Sequence, residues 1–120
     1  PMIQAKSSNT ILVVEDAYLV GLQLKDDLES IGYRVIGPAS NVTKAINLIN
    51  ENAVRGAVLD VNLGHENSIP IANRLDEDDI PFIFITGYES VSADDTIFTN
   101  KKLLRKPILI DEVKIALEDL

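Results

Sequence analysis

The stretch Ala57-Val58-Leu59-Asp60 joins an apolar run to a carboxylate, and three other stretches of the chain follow the same plan. Each apolar run has the length and composition of a buried strand. The three stretches are Ile11–Val14 followed by Glu15 and Asp16, Phe82–Ile85 followed by Thr86, and Leu103-Leu104 followed by Arg105 and Lys106. Because the carboxyl ends of parallel strands share one edge of a sheet, three carboxylates, a hydroxyl and an ammonium are predicted to meet at one rim.

Five apolar runs alternate with helical patterns, which predicts an α/β domain with a doubly wound, five-stranded parallel sheet. The first, third and fourth runs are apolar throughout, as central strands are. The second run, Tyr33–Ile36, contains the charged Arg34 and is predicted to end at Gly37-Pro38. The fifth run, Leu103–Arg105, is short, so the second and fifth strands are predicted to be edges. Right-handed crossovers then give the strand order 2-1-3-4-5, with the topological switch between strands one and three.

The helices between these strands are predicted from apolar periodicity and stop signals. The first helix carries Val20, Leu24, Leu28 and Ile31 on its inner face, and Gly32 stops it. The last helix is predicted over residues 110–120 with Leu120 on its inner face.

Sequence signals for the remaining helices and loops differ in strength. Asn41 is predicted to cap the second helix, and residues 68–78 are predicted to form the third. The stretch 62–67 is predicted to be a loop. Between Tyr88 and Lys102 no apolar stripe is visible, so we expect a short or mobile helix there, with Ile97 and Phe98 at its far end.

Composition narrows the classes of function. The 120 residues fit one domain, expected at 10–120 behind a flexible tail at 1–9. The formal net charge of -8 disfavours direct nucleic-acid binding and favours cations and basic partners. The chain contains no cysteine, which excludes thiolate chemistry. No apolar run approaches the roughly 18 residues of a membrane span. We expect a cytoplasmic protein with no membrane contact.

Three carboxylates at one rim need a counter-charge, and a hard divalent cation supplies one. Mg²⁺ takes oxygen ligands, keeps several waters and is often held by a few carboxylates together with a phosphate. Asp16 and Asp60 are predicted as direct ligands. Glu15 is predicted to act directly or through water, and the backbone carbonyl of Asn62 to add an oxygen.

The same rim suits phosphoryl transfer. A carboxylate such as Asp60 can attack phosphorus to give an aspartyl phosphate. The transition state spreads charge over the equatorial oxygens, so catalysis depends on positioning and on nearby positive charge. Lys106 is predicted to pair with one of those oxygens and the Thr86 hydroxyl to donate to another.

Taken singly, each of these residues has an ordinary structural explanation. Asp60 alone could be a loop or helix-cap residue, Asp16 could cap the first helix, and Lys106 could be a loop lysine before a proline. The solitary His65 is a poor metal ligand without a second histidine or a cysteine. The acidic run at 76–79 is predicted to be a solvated surface. The joint order and spacing, rather than any one residue, indicate a phosphoryl site.

With these motifs in place, residues 10–120 resemble a response-regulator receiver domain, which has a flavodoxin-like fold. The resemblance implies that Asp60 accepts a phosphoryl group from a histidine kinase or a histidine phosphotransfer protein, with Mg²⁺ held by Glu15, Asp16 and Asp60. It also implies that Thr86 and Lys106 read the phosphoryl group and that a downstream protein target receives the signal.

Further details of the resemblance concern the acceptor's surroundings. Asn62 and Tyr88 stand at positions that tune the lifetime of the phosphoryl group in such domains. The stretch 81–88 is similar to a subgroup with a Phe-Ala-Thr-Gly motif, although Ile85 replaces the alanine.

Two departures from the family pattern are visible. Leu103 stands where receivers usually carry a switching tyrosine or phenylalanine, and Tyr88 is a candidate to replace it. Gly64 stands where a proline is common, which is expected to loosen the loop after the acceptor.

Two other classes of protein remain as alternatives. One is a pseudo-receiver, an interaction module that phosphorylation does not control, which Leu103 and the weak fourth helix leave open. The other is a flavin-binding domain of similar architecture. Glu15 and Asp16 argue against a flavin, because they would repel its phosphate after the first strand.

Overall fold

The computed structural model describes residues 8–87 and 101–120. Seven strands lie within these ranges: β1 (Thr10–Val14), β2 (Arg34–Ala39), β3 (Gly56–Asp60), β4 (Asn62–Leu63), β5 (Glu66–Asn67), β6 (Phe82–Thr86) and β7 (Leu103–Arg105). The same ranges contain four helices: α1 (Tyr18–Ser30), α2 (Val42–Glu51), α3 (Ile69–Glu77) and α4 (Ile110–Glu118). No helix in these two ranges is long and apolar enough to span a membrane.

The main sheet has five parallel strands in the order β2-β1-β3-β6-β7. This order is the predicted 2-1-3-4-5 when the two short strands β4 and β5 are left aside, so the predicted fold class and strand order are confirmed. Every residue of the three central strands is buried, which explains why their sequences show no alternation of apolar and polar residues.

Side chains from the two faces of the sheet form two separate hydrophobic clusters. Along β1, Leu12 and Val14 belong to one cluster, and Ile11 and Val13 belong to the other. The first cluster receives buried residues of α2 and α3, and the second receives those of α1 and α4. The sheet is therefore covered on both faces, and functional groups can reach solvent at the strand ends.

Strand β2 does not end at Gly37-Pro38, contrary to the prediction, but continues to Ala39. Leu12 pairs with Ile36 and Val14 pairs with Ala39, so β2 carries one extra residue between these two pairs. Gly37 has a φ of +100°, and a Cβ at this position would lie 2.5 Å from the Val13 carbonyl oxygen. An edge strand tolerates a bulge and a proline, because only one of its edges has to pair.

The stretch 62–67 is a small hairpin rather than the predicted loop, since β4 and β5 form an antiparallel pair. Gly64 in its turn has a φ of +79°. This left-handed conformation is closed to proline, whose ring holds φ near -65°. Glycine at this position therefore accompanies an ordered turn.

Most of the predicted helix signals are found, with two exceptions. Gly32 follows α1 with a φ of +105°, and the Asn41 side chain accepts a hydrogen bond of 2.8 Å from the Lys44 amide at the start of α2. However, Val20 is 38% exposed, and Gly21 takes the inward position instead. Leu120 lies beyond the end of α4 and is also exposed.

Several predictions fall wholly or partly outside the described residues. Residues 1–7 of the predicted tail are outside, as is nearly all of the segment in which the fourth helix was expected, including Tyr88, Ile97 and Phe98. The described residues resume at Lys101. Its Nζ lies 2.9 Å from Asp76 Oδ1 and 4.8 Å from the centre of the Phe82 ring.

Replacing the cap of α2 is expected to destabilise the domain. Asn41→Ala removes the hydrogen bond to the Lys44 amide and should lower the free energy of unfolding by about 1 kcal/mol. Urea unfolding followed by circular dichroism measures this change. Asn47→Ala, at an exposed position of the same helix, is the matched control and should leave stability unchanged or slightly higher. Equal losses in both variants would contradict the capping role.

Candidate functional site

Strand pairing fixes which polar groups lie side by side at the carboxyl edge of the sheet. Val14 of β1 pairs with Leu59 of β3, so Glu15 and Asp60 leave their strands as neighbours. Asp60 in turn pairs with Ile85 of β6, which places Thr86 one residue beyond it. The backbone amide of Lys106 donates to the Thr86 carbonyl at 2.8 Å, which brings Lys106 to the same edge.

Lys106 reaches two carboxylates at once. Its Nζ lies 3.1 Å from Asp60 Oδ2, 3.2 Å from Glu15 Oε1 and 2.9 Å from Glu15 Oε2. Burial lowers the pKa of Lys106, but the hydrogen bond to Glu15 and the negative charge of Asp60 outweigh burial and raise its pKa above the usual value. Lys106 is therefore a fixed positive charge at this rim.

Glu15 is the most deeply buried charged group of the site, with 1% of its surface exposed. Burial is the largest cause that raises its pKa from 4.5 to about 7, and the adjacent Asp60 raises it further, while the hydrogen bond with Lys106 opposes the change. Its Oε1 also accepts a hydrogen bond of 3.0 Å from the Ala17 amide. Glu15 thus serves the start of α1, and Ala17 rather than Asp16 occupies the N-cap position.

Asp16 completes an acidic cluster. Carboxylate oxygens of Glu15, Asp16 and Asp60 all lie within 4.8 Å of one another. Glu15 and Asp60 are buried, whereas Asp16 is exposed and gives the cluster a side open to solvent. The turn of the β4–β5 hairpin lies against this side, because a Cβ on Gly64 would be 3.6 Å from Asp16 Oδ2.

The donor set of this cluster fits a divalent cation such as Mg²⁺. Oε2 of Glu15 is buried and makes no hydrogen bond with the described residues, although it lies within ion-pair distance of Lys106 Nζ. A buried carboxylate oxygen without a hydrogen bond is costly unless a charge compensates it. Three hard oxygen donors with one open side match the way proteins hold Mg²⁺ with few carboxylates and several waters.

Asn62 and Thr86 lie beside Asp60 but are not members of the charged cluster. The Asn62 amide donates to Asp60 Oδ1 at 3.2 Å, while its side chain is exposed. Thr86 is buried at the end of β6. The structure therefore brings Glu15, Asp16, Asp60 and Lys106 into direct proximity and places the other two predicted site residues beside them.

His65 and the acidic run at 76–79 are not members of this cluster. His65 is exposed in the turn of the β4–β5 hairpin. In the acidic run at 76–79, Asp76 pairs with Lys101 and Asp78 pairs with Arg74 at 2.8 Å. These exposed ion pairs contribute little to stability.

Sequence reasoning missed an apolar groove beside Lys106. Residues of α1 and of the segment after β7 enclose a groove of about 310 Å³, whose lining includes Leu19, Leu24, Pro107 and Ile108 together with Lys106. Leu19 is 76% exposed and its neighbour Tyr18 is 73% exposed. The signal in the sequence was the run of apolar residues at the start of α1, which exceeds what one inner face needs.

Comparison with known proteins places this arrangement in a family. Residues 11–118 match the family described as response regulator receiver domain. The chain belongs to this family. The match includes all the groups at the carboxyl edge, from Glu15 to Lys106.

Individual relatives of this receiver domain agree with the family assignment. The regulator PhyR of Methylorubrum extorquens is 32% identical over 89 residues, which are 72% of the chain and 33% of PhyR. The transcriptional regulatory protein CrdR of Helicobacter pylori is 28% identical over 90% of the chain and 53% of CrdR. The matched residues thus span about a third of PhyR and about half of CrdR.

Solved structures resemble this receiver domain over nearly its whole length. The solution structure of SdrG from Sphingomonas melonis Fr1 has 36% sequence identity and a TM-score of 0.80, and the match covers 97% of each chain. The receiver domain of PhyR from Erythrobacter litoralis has 27% identity and a TM-score of 0.80, with 93% of this chain and 88% of that one covered.

Neutralising one carboxylate of the crowded site is expected to stabilise the metal-free domain. The folded state raises the pKa of Glu15 from 4.5 to about 7, so ionising Glu15 lowers the free energy of unfolding. This loss of stability is absent below pH 4.5 and complete above pH 7. Asp60→Asn removes the negative charge of Asp60, which is one of the causes of the raised pKa of Glu15. Lys106 still pairs with Glu15 in this variant. The free energy of unfolding should rise by about 1 kcal/mol at pH 8 and by less at pH 5.

Urea unfolding with a chelator present measures both values. Glu51→Gln, an exposed charge at the end of α2, is the control and should change stability little at either pH. A loss of stability in Asp60→Asn at pH 8 would show that the ion pair with Lys106 outweighs the repulsion.

Proposed function

We propose that this receiver domain takes a phosphoryl group from the phosphohistidine of a histidine kinase or a histidine phosphotransfer protein onto Asp60. The observation that carries the proposal is the 3.1 Å approach of Lys106 Nζ to Asp60 Oδ2 beside the acidic cluster. An acceptor carboxylate, a fixed ammonium and a cation-binding set of oxygens are the parts that transfer to an aspartate requires.

The transfer exchanges one bond to phosphorus for another. A carboxylate oxygen of Asp60 forms a bond to phosphorus as the bond from phosphorus to the donor's imidazole nitrogen breaks. The electron pair of that bond returns to the imidazole, which leaves as a neutral ring when its other nitrogen carries a proton. The product is an acyl phosphate on Asp60, and the domain is a stoichiometric acceptor rather than a turnover enzyme.

Asp16 and Asp60 would hold Mg²⁺ directly, with Glu15 acting directly or through water and the Asn62 carbonyl adding an oxygen. The cation would offset the charge on the phosphoryl oxygens in the transition state. Lys106 would pair with a phosphoryl oxygen, since it is already within ion-pair distance of the acceptor. The Thr86 hydroxyl would donate to another phosphoryl oxygen, because Thr86 ends the strand next to Asp60.

Two relatives support this chemistry. SdrG, at 37% identity, has been solved in a BeF3-activated conformation. A response regulator from Burkholderia pseudomallei, at 25% identity, has been solved with a phosphorylated aspartic acid and a calcium ion. The present domain has an aspartate, a threonine and a lysine at the ends of three strands in a sheet of the same topology.

The output is proposed to be a population shift that changes the affinity for a downstream protein. Leu103 pairs with Phe84 across β6 and β7 and is half-buried against the core. It has no ring that could turn toward Thr86, so the shift would follow another route. The candidate replacement, Tyr88, lies outside the described residues. Leu103 is also the observation that favours the alternative, a pseudo-receiver that binds partners without control by phosphorylation.

The apolar groove is proposed as the contact for the phosphodonor protein. Its lining includes Lys106 itself, so a protein seated there would stand beside the acceptor. Leu19, which lines the groove and is exposed, would be buried by such a partner. Exposed apolar patches mark interaction sites.

Phosphorylation from a small donor tests the central proposal. Incubation with acetyl phosphate and Mg²⁺ should add one phosphoryl group to the wild-type domain, detected by intact-mass analysis, because the acceptor and its charges are preformed. Asp60→Asn should gain none, and a chelator should abolish the gain in the wild type. Asp111→Asn, an exposed carboxylate in the first turn of α4, is the control and should be modified like the wild type.

An equal gain in the Asp60→Asn variant would sink the assignment of the acceptor. No gain in the wild type, under conditions that modify an active receiver, would favour the pseudo-receiver.

The groove is tested by separating protein donors from small ones. Leu19→Ser removes an exposed apolar contact at the rim and should slow transfer about tenfold from a phosphorylated histidine kinase that modifies the wild type, since one apolar contact of this size contributes roughly 1–2 kcal/mol. Its modification by acetyl phosphate should be unchanged. Ile115→Ser, at an exposed apolar position on α4, is the matched control. Equal rates for wild type and Leu19→Ser with the protein donor would show that the groove is not the contact.

A further inference from the structure

The helix α1 lies unusually close to the bulge of β2, and the contact is made by Gly21 and Pro38. A Cβ built on Gly21 would lie 2.8 Å from both Cβ and Cγ of Pro38. Approaches below 3.0 Å do not persist, and the proline ring cannot rotate away as a flexible side chain could. Glycine is therefore required at this point of α1 for the helix to rest on the bulge.

The same contact touches the backbone that carries Glu15. The Cβ built on Gly21 would also lie 3.5 Å from Cβ of Glu15. The amide of Glu15 donates to the Ala39 carbonyl at 3.0 Å, directly after the extra residue of β2. Glu15 is thus held from two sides, by the bulged strand through its backbone and by α1 over its side chain.

The start of α1 depends on the Glu15 carboxylate in return. Glu15 Oε1 accepts from the Ala17 amide, and the Ala17 carbonyl accepts from the Gly21 amide at 2.9 Å. Pro38 therefore packs against Gly21, and the Gly21 amide is bonded to Ala17. The Ala17 amide is in turn bonded to Glu15, a member of the acidic cluster. Glu15 Oε2 remains buried beside Lys106 Nζ, at 2.9 Å, and makes no hydrogen bond with the described residues.

We infer that Gly21 and Pro38 are positioning residues that set the Glu15 carboxylate for the metal site. This inference rests on the proposed function, because it concerns the same site. A supporting contact of this kind matters because residues that orient metal ligands typically change metal affinity by 10–100-fold when they are altered.

The test is Mg²⁺ binding by the metal-free full chain, measured by calorimetry. Gly21→Ala should weaken Mg²⁺ binding roughly tenfold and shift the NMR signal of the Ala17 amide, which reports the position of Glu15 Oε1. Alanine favours helix over glycine, so a change that affected α1 alone would raise stability and leave the Mg²⁺ affinity unchanged.

Gly56→Ala is the matched control. Its added methyl would lie 3.3 Å from the Pro81 carbonyl oxygen at the opposite end of β3. It should lower the melting temperature without changing Mg²⁺ affinity or the Ala17 signal.

A second pair of variants covers the case in which Gly21→Ala does not fold. Pro38→Ala removes Cγ from the contact and adds no atom, so it should fold and bind Mg²⁺ several-fold more weakly than wild type. In the double variant Gly21→Ala/Pro38→Ala the added methyl no longer meets Cγ and meets only the Cβ of residue 38. The clash is partly relieved, so the Mg²⁺ affinity should exceed the value expected from the sum of the single losses.

The outcomes separate this inference from the proposal beneath it. If the wild type binds no Mg²⁺, the proposed metal site fails. If the wild type binds Mg²⁺ and both Gly21→Ala and Pro38→Ala bind it equally well with the Ala17 signal unmoved, the metal site stands and the positioning role is overturned. Strictly additive losses in the double variant would also overturn it.

Discussion

Among the described residues, the ammonium of Lys106 is the one positive charge that approaches both buried carboxylates at this rim. One positive charge therefore faces two acidic groups, and the geometry of the site depends on this contact. The charge of Lys106 offsets the mutual repulsion of Glu15 and Asp60. Lys106 follows β7, the last strand of the sheet, and the two carboxylates lie at the ends of the inner strands β1 and β3. Parallel pairing through the whole sheet holds these strands in register. The site is therefore a property of the complete sheet rather than of a local motif.

Much of the fold and of the site was accessible from sequence because strand ends are marked clearly in a parallel sheet. Runs such as Phe82–Ile85 are apolar throughout, and the polar residue after each run lies at the same edge whatever the details of the helices. This rule located Asp60, Thr86 and Lys106 without knowledge of any distance. The burial of Glu15 Oε2 and the groove beside Lys106 depend on three-dimensional packing and could not be found in this way.

Two of the wrong predictions share a physical cause, which is that the decisive contact is distant in sequence. Gly37-Pro38 breaks a strand in isolation, but β1 pairs on both sides of it and β2 continues. Val20 fits the apolar period of α1 as well as Gly21 does, and only the nearness of Pro38 decides which of them turns inward. The hairpin at 62–67 has two residues in each strand, too few for any pattern of alternation to appear.

The bulge on β2 also bears on how the domain avoids associating with itself. β2 is an outer strand, and an outer strand offers its free backbone groups to any other strand that meets it. Pro38 has no amide hydrogen to offer, and the bulge interrupts the regular spacing that a second sheet would need. At the other outer edge, β7 is only three residues long. Both edge strands of the sheet are thus poor templates for pairing with another sheet, which disfavours growth into fibres. At β2 this protection comes from Pro38, the same residue that packs against α1.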